Sequence, residues 1–527
     1  MAGRRATTSA DGSTTACRRT FASWSVAPTI SASDPAVIDG RAVDSTVRAD
    51  VLVAGGGPSG AVLARRLAQL GHSVVIAECE PFPRPHVGES LGPGVLPLLD
   101  VLGIRRAIEG AGFLRPTSAI VSWAGPAERR PIPGAPGFQV DRSRFDHIVL
   151  ASAAEAGARL LQPARVLAAR RIGRGHWLAT LRSGDGRVAV ECRFIADATG
   201  RRGLLGGTKR RSGAKTVAMF AYWAGVPCDG PETRVEAGDE AWYWGAPLPD
   251  GQWNAAVFVD PSRYRDGARR AGGRDRYYES VLDRSALLRD WRRGRRISAV
   301  HVGDATQRFD EIPATMDAIK VGEASFAIDP LSSQGVQAAI GSALHAAAVI
   351  HTVARRPDDA ALALAFYRTR QRDSVELHSV AAAAFYAEAA TRRSGDFWTA
   401  RAPVAGAGER ASSPPRRPRP GASARIGLAA GTRLEVVPTV RDAFIVAIKA
   451  VVPPGSRRPV ALVDGIAVGP LAEMLQPGMT VERVLDAWSA AIPYERAVRT
   501  LGWLWDAGVV CDAASGTISI EVAPTFS

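Results

Sequence analysis

The chain has 527 residues, 46% of them hydrophobic, material for a large core and roughly two to four domains, and no stretch approaches the roughly 18–20 continuous apolar residues that span a bilayer. Its net charge of +14 rests on arginine, since lysine occurs only at Lys209, Lys215, Lys320 and Lys449; the basic runs are short and interspersed with acids, which reads as a solvated surface and not as a nucleic-acid footprint. The cysteines Cys17, Cys79, Cys192, Cys228 and Cys511 are scattered, with no C-x-x-C, which argues against a zinc site or a disulfide framework and for a cytoplasmic setting.

Residues 1–47 are rich in Ser, Thr, Arg and Ala and are expected to be disordered. CRRTFASWS at 17–25 loosely resembles a twin-arginine signal, but Ser, Pro and Asp interrupt the apolar region that should follow, so no export is expected. Ordered structure is expected from ADVLVAGGGPSGAVLARRLAQLGHSVVIAE, 49–78. Val51 to Ala54 reads as a buried strand, Ala61, Ala64, Leu67 and Ala68 as one helix face stopping at Gly71, and SVVIAE as a second strand. Gly55, Gly57 and Gly60 form G-x-G-x-x-G in this βαβ unit, and Glu78 stands 18 residues after Gly60. The first glycine permits the tight turn, the second lets the backbone approach a pyrophosphate, the third allows helix and strand to pack closely, and the acid accepts hydrogen bonds from a ribose. A dinucleotide is therefore expected here.

Beyond it, FDHIVLASAAEAGARLL (145–161) reads as a helix ending near Gly157 before a strand, and CRFIADATG (192–200) as a strand running into a glycine turn. Between 215 and 260, TVAMFAYWAGV and NAAVFVDP read as strands, and 336–390 is alanine-rich and helical. FAIDPLSSQGVQAAIGS, 326–342, is a loop that turns into a helix: Pro330 stiffens the turn, Ser332 and Ser333 can cap, and Gly335 lets a backbone come close. Such a bare helix N-terminus suits an electron-rich group; together with the first glycine turn it resembles the late loop and helix of hydroxylase-type FAD enzymes, a resemblance that implies the pyrimidine edge of a flavin there. Residues 401–425, rich in Pro, Gly, Ser and Arg, read as a linker. In 426–527, Thr480 caps one helix, YERAVRTLGWLWDAG forms another that stops at Gly508, and VVCD and TISIEV follow as strands, which suggests a small winged-helix-like domain.

GGGPSGAVLARRLAQLGHSVVIAE, FPRPHVGESLGPGVLPLLDVLGI, DATG and VGEASFAIDPLSSQGVQAAI together resemble the flavin-dependent halogenases and their monooxygenase relatives over roughly residues 49–390. WYWGAP, 242–247, resembles the W-x-W-x-I-P of the halogenases, with Ala246 for the isoleucine. The resemblance implies an α/β fold in which a Rossmann-like FAD-binding domain and a β-sheet substrate domain of aromatic-hydroxylase type interleave over 48–400. Halogenases also carry a lysine that captures hypochlorous acid; the segment that resembles its surroundings, GFLRPTSAIVSWAG (112–125), has Arg115 and Pro116 and no lysine. A guanidinium, protonated at all working pH, offers no nucleophilic lone pair. The family's G-D-A-A is here Gly322, Glu323, Ala324, which puts a longer acid toward the ribityl chain. One branch of the relatives lacks the lysine and has a closely similar DPLSSQGVQ: the flavoproteins that modify a tryptophan in a partner protein during quinone-cofactor biogenesis. The chain resembles that branch most.

The resemblance thus implies an FAD-dependent monooxygenase acting through a flavin C4a-hydroperoxide on an electron-rich ring, borne by a small molecule or by a peptide or protein. Oxygen is the co-substrate, and electrons come from NAD(P)H directly or through a separate flavin reductase, because no second G-x-G-x-x-G follows a strand. The cofactor-binding set is Gly55, Gly57, Gly60, Glu78, Arg142, Glu323, Pro330, Ser333 and Gly335; the pocket over the ring is assigned to Glu89, Ser90 and Trp244, and no metal is expected. The alternatives are a halogenase, a flavoprotein saturating isoprenoid double bonds, and a flavin-sensing DNA-binding regulator using the C-terminal domain. That domain is otherwise a peptide-recognition or structural element; neither membrane nor nucleic acid is an expected partner.

Overall fold

A computed structural model describes residues 45–402, except 229, and 418–513, together with the backbone of 37–38 and 41–42. Val51, Leu52, Val53 and Ala54 are all fully buried, as a central parallel strand covered on both faces requires. Their strand, Ser45–Ala54, pairs in parallel with Val74–Ala77 on one side and Gly186–Asp197 on the other. Arg159–Leu161 extends the sheet beyond the first neighbour, while His176–Ser183 and Arg165–Gly173 extend it antiparallel beyond the second. Ala318–Lys320 adds in parallel at the end of Gly186–Asp197. Helices Pro58–Gln69, Arg142–Glu155 and Gly335–Arg355 bury their apolar faces in one cluster with this sheet.

A second sheet runs in the order Arg295–Arg296, Val217–Ala224, Trp253–Val259, Ala241–Pro247, Thr233–Ala237, Ser118–Ser122, Glu128–Pro131, with His301–Asp304 also paired to Val217–Ala224. Every residue of Trp253–Val259 is buried. One face of this sheet packs on Tyr278, Leu282 and Trp291, the other on Tyr386 and Trp398. Its strands come from the chain segments between those of the first sheet, so the two layers interleave along the chain.

The alanine-rich stretch is two helices, Gly335–Arg355 and Ala360–Ala390, separated at Pro357, which cannot continue the first. Among the described residues, Gly335–Arg355 alone is long and apolar enough to cross a membrane by length and composition, and 56% of its most apolar window is buried inside the protein.

The boundaries differ from expectation in three places. The extension expected over 1–47 ends sooner, because Ser45, Thr46 and Val47 already pair with Val188, Ala189 and Val190; the segment 17–25 lies outside the described residues. At the start of the expected linker, Arg401 is buried and donates to the carbonyls of Phe397 and Lys215 and to Thr216 Oγ1, while Arg425 at its end opens the strand Arg425–Leu428; 403–417 lie outside the described residues. Among the described residues, the C-terminal part packs against the rest. Its hairpin, Arg433–Arg441 with Phe444–Val452, docks on the core: Ile445 N–H donates to Thr352 Oγ1 at 2.9 Å, and the Arg356 guanidinium lies 3.6 Å from the Phe444 ring centre. After it come the short hairpin Leu462–Val463 with Ile466–Ala467, helix Val468–Glu473, strand Met479–Thr480, helices Val481–Ser489 and Tyr494–Asp506, and strand Val510–Asp512. Thr480 caps its helix by accepting from Arg483 N–H at 3.3 Å. The second strand expected at TISIEV lies outside the described residues.

Candidate active site

The first strand, Ser45–Ala54, ends at the glycine turn, where Gly55 and Gly60 leave no room for a side chain. Gly55 has φ +106°, and a Cβ there would lie 2.4 Å from the carbonyl oxygen of Ala198. A Cβ on Gly60 would lie 1.9 Å from the carbonyl oxygen of Gly55, so Gly60 serves packing, as the third glycine of such a motif should. Gly57 precedes the helix Pro58–Gln69, whose first turn carries no side-chain cap and leaves its N–H groups open. Glu78 is buried at the end of the next strand; Oε2 accepts from Gly56 N–H at 2.7 Å and Oε1 from Glu80 N–H at 2.9 Å.

From this turn a cavity of about 850 Å3 runs between the two sheets to the loop at 326–335. Gly55, Gly57, Glu78, Arg84 and Arg142 line one part; Glu323, Pro330, Ser333 and Gly335 line another; Glu89, Ser90 and Trp244 also line it. The sequence-assigned residues therefore share one cavity, with Gly60 packed behind its wall. At the far end Asp329 caps the short turn Pro330–Ser332 through Leu331 N–H at 3.0 Å, and Ser333, left-handed at φ 51°, turns the chain into the helix Gly335–Arg355. Burial raises the pKa of the Asp329 carboxyl, while hydrogen bonds from Leu331, Gln307 and Tyr386 oppose the rise.

Arg142 lines the cavity, with most of its guanidinium engaged inside the protein. It is buried, forms a bidentate pair with Asp146 at 2.9 and 3.0 Å, and donates to the carbonyl of Val87 at 2.6 Å. It fixes the loop that carries Glu89. Glu323 extends to Arg201, accepting from Nε at 3.0 Å, a reach its extra methylene allows.

Glu89 is 1% exposed. Its Oε1 accepts from Tyr222 Oη at 2.8 Å and Asn254 Nδ2 at 2.9 Å, and its Oε2 from Gly88 N–H at 2.8 Å. Burial raises its pKa, and these three donors pull the other way. Ser90 Oγ donates to Gln139 Oε1 at 2.8 Å. Phe220, Trp242 and Phe258 add aromatic walls, Trp242 and Phe258 stacking at 3.7 Å between centres. Sequence reasoning missed Tyr222, Asn254, Arg201, Phe220 and Phe258; the alternation in TVAMFAYWAGV could have shown which of its residues share a face, but not that the face looks into this cavity. Arg115 stands away from the cavity lining, donates to the Pro136 carbonyl at 2.7 Å and stacks 4.6 Å from the Phe138 ring centre. No lysine lines the cavity.

A sequence model of the family described as tryptophan halogenase matches residues 127–409. The chain belongs to that family. It is 30% identical over 370 residues to a tryptophan 2-halogenase of Chondromyces crocatus, covering 66% of this chain and 70% of that one. It is 27% identical to a flavin-dependent halogenase of Armillaria mellea, over 58% of this chain and 66% of the other. Among solved structures, the flavin-dependent halogenase CmlS shares the fold with a TM-score of 0.71 at 22% identity, over 90% of this chain and 99% of that one. The peptidyl tryptophan dihydroxylase QhpG, essential for tryptophylquinone cofactor biogenesis, aligns with a TM-score of 0.67 at 26% identity, over 88% of this chain and all of that one. As a member of this halogenase-like family the chain is a flavin-dependent oxidoreductase. The cavity fits FAD on its own terms: a turn that only glycine allows, an uncapped helix N-terminus beside it, a buried acid at the next strand end, and a second bare helix N-terminus at the far end.

Proposed function

We propose that this family member is a monooxygenase that hydroxylates an electron-rich aromatic ring, tryptophan in the first instance, presented by a peptide or protein. The observation that carries the reading is the make-up of the cavity: a buried, acceptor-only Glu89 and aromatic walls, with no lysine among the lining residues and Arg115 engaged elsewhere. The likeness to QhpG over the whole of that chain supports it.

When bound and reduced, FAD supplies two electrons and, with O2, an electrophilic oxygen atom; one oxygen enters a ring C–H bond and the other leaves as water. Glu78 and the open N–H groups after Gly57 hold the adenosine end. The bend at Pro330 and Ser333 and the first turn of Gly335–Arg355 hold the redox-active end, where the helix dipole stabilises negative charge. Phe220, Trp242, Trp244 and Phe258 exclude water and stack on an aromatic acceptor. Glu89, accepting from three donors, keeps a lone pair for the proton that the ring loses. The C-terminal module, with its helices Val481–Ser489 and Tyr494–Asp506, holds the peptide.

Incubation of FAD-loaded protein with a reductant, oxygen, chloride and tryptophan-containing candidate peptides tests this by product mass. A gain of one or two oxygen atoms supports it. A gain of chlorine establishes the second reading, halogenation, which the names of the relatives favour.

A further inference from the structure

Behind Trp242 in the cavity wall lies a file of oxidisable rings, Trp123, Trp398 and Tyr386, that neither FAD binding nor ring hydroxylation uses. Trp242, whose ring lines the cavity, lies 6.4 Å from Trp123 between ring centres; Trp123 lies 5.4 Å from Trp398, and Trp398 lies 6.0 Å from Tyr386. The four are between 0% and 4% exposed, and they come from four separate parts of the chain, so the file is a product of tertiary packing. Its indole protons are held differently from its phenol proton. Trp123 Nε1 donates to the carbonyl of Phe385 at 2.8 Å, and Trp398 Nε1 to the carbonyls of Gly238 and Asp239 at 3.0 and 2.9 Å. A backbone carbonyl is too weak a base to take the proton of an oxidised indole. Tyr386 Oη instead donates to the Asp329 carboxylate, 3.1 Å from Oδ2, a base that can.

We propose that Trp242, Trp123, Trp398 and Tyr386 form a one-electron relay within the cavity wall that passes an oxidising equivalent to Tyr386. The oxidant is the photoexcited flavin, or a one-electron oxidant left by oxygen in an unproductive cycle. One electron passes from Tyr386 through Trp398, Trp123 and Trp242 to that oxidant, and the phenolic proton passes to Asp329. The net change is one oxidant reduced by one electron and one neutral tyrosine radical. The relay protects the substrate-facing rings Trp242 and Trp244 from irreversible oxidation.

The inference rests on the flavin reading and is tested with FAD-loaded protein under blue light, read by electron paramagnetic resonance. The expected result is a tyrosine-radical signal in the parent, a tryptophan radical in its place in Tyr386→Phe, and loss of the tyrosine signal in Trp123→Phe and in Trp398→Phe. Trp398→Phe, on the helix Asp396–Thr399, interrupts the same path at a different ring from Trp123, which follows the strand Ser118–Ser122, so the result does not hang on the folding of one variant. Yellow protein that gives no radical, or the parent tyrosine signal persisting in Tyr386→Phe or in both tryptophan variants, overturns the relay and leaves the flavin reading standing. Protein that stays colourless in excess FAD overturns both.

Discussion

Tyr222 places its phenolic oxygen 2.8 Å from Oε1 of Glu89, 133 residues earlier in the chain. With Asn254 on the same oxygen, the second sheet reaches across the cavity to fix a carboxylate that belongs to the cofactor layer. Tyr222→Phe removes one donor from a buried acid, a loss of about 1–3 kcal/mol. The expected outcome is a lower urea midpoint, FAD retained, and hydroxylation that needs a higher pH, because the remaining donors hold the ionised form less well. An unchanged pH profile would show that Glu89 does not act as a base.

The glycines should separate folding from cofactor binding. In Gly60→Ala the new Cβ meets the Gly55 carbonyl oxygen at 1.9 Å, so the variant should lose both stability and flavin. Gly335→Ala meets nothing within 4 Å, and the apoprotein should be unchanged or more stable by up to roughly 0.5–1 kcal/mol. Because Gly335 lines the cavity, its FAD affinity should nevertheless fall. Calorimetry of the apoproteins and flavin titration check the pair, and equal FAD affinity in Gly335→Ala and the parent would place the redox-active end elsewhere.

Arg142 and Asp146 form an ion pair with side chains 4% and 0% exposed. Asp146→Asn leaves a buried guanidinium short of its countercharge, which costs about 3–5 kcal/mol. The loop 87–89, tied to Arg142 through the Val87 carbonyl, should loosen with it. Hydrogen exchange at Gly88 and Glu89 should rise more than in the distant hairpin Arg433–Val452; a uniform rise would show that Arg142 does not hold the loop.

Burial lowers the pKa of His345 from 6.5 to about 4, with Arg370 adding to it. A depressed pKa gives stability that is present above the unfolded value and lost as pH falls toward the folded one. The shift corresponds to roughly 3 kcal/mol between about pH 6.5 and 4. His345→Leu, apolar at every pH, should therefore gain on the parent as pH falls from 7 to 5. Urea midpoints that decline in parallel would show that His345 is not buried in its neutral form.

The sequence by itself determined what depends on neighbours in the chain. Gly55, Gly57 and Gly60 between an apolar strand and a helix, with Glu78 after the next strand, need only local sterics and the period of each element to be read as a nucleotide turn. Pro330 to Gly335 declares a bend and a helix start in the same way. Tertiary structure decided what depends on long-range packing. It turned Arg142 inward to Asp146 and Arg115 to the Phe138 ring, brought Tyr222 and Asn254 onto Glu89, and lined up Trp242, Trp123, Trp398 and Tyr386. It also pulled Arg401 out of an apparent linker and docked the hairpin Arg433–Val452 on the core. A side chain's partner in these cases lies many residues away, and composition and periodicity show which face a residue occupies but not what that face meets.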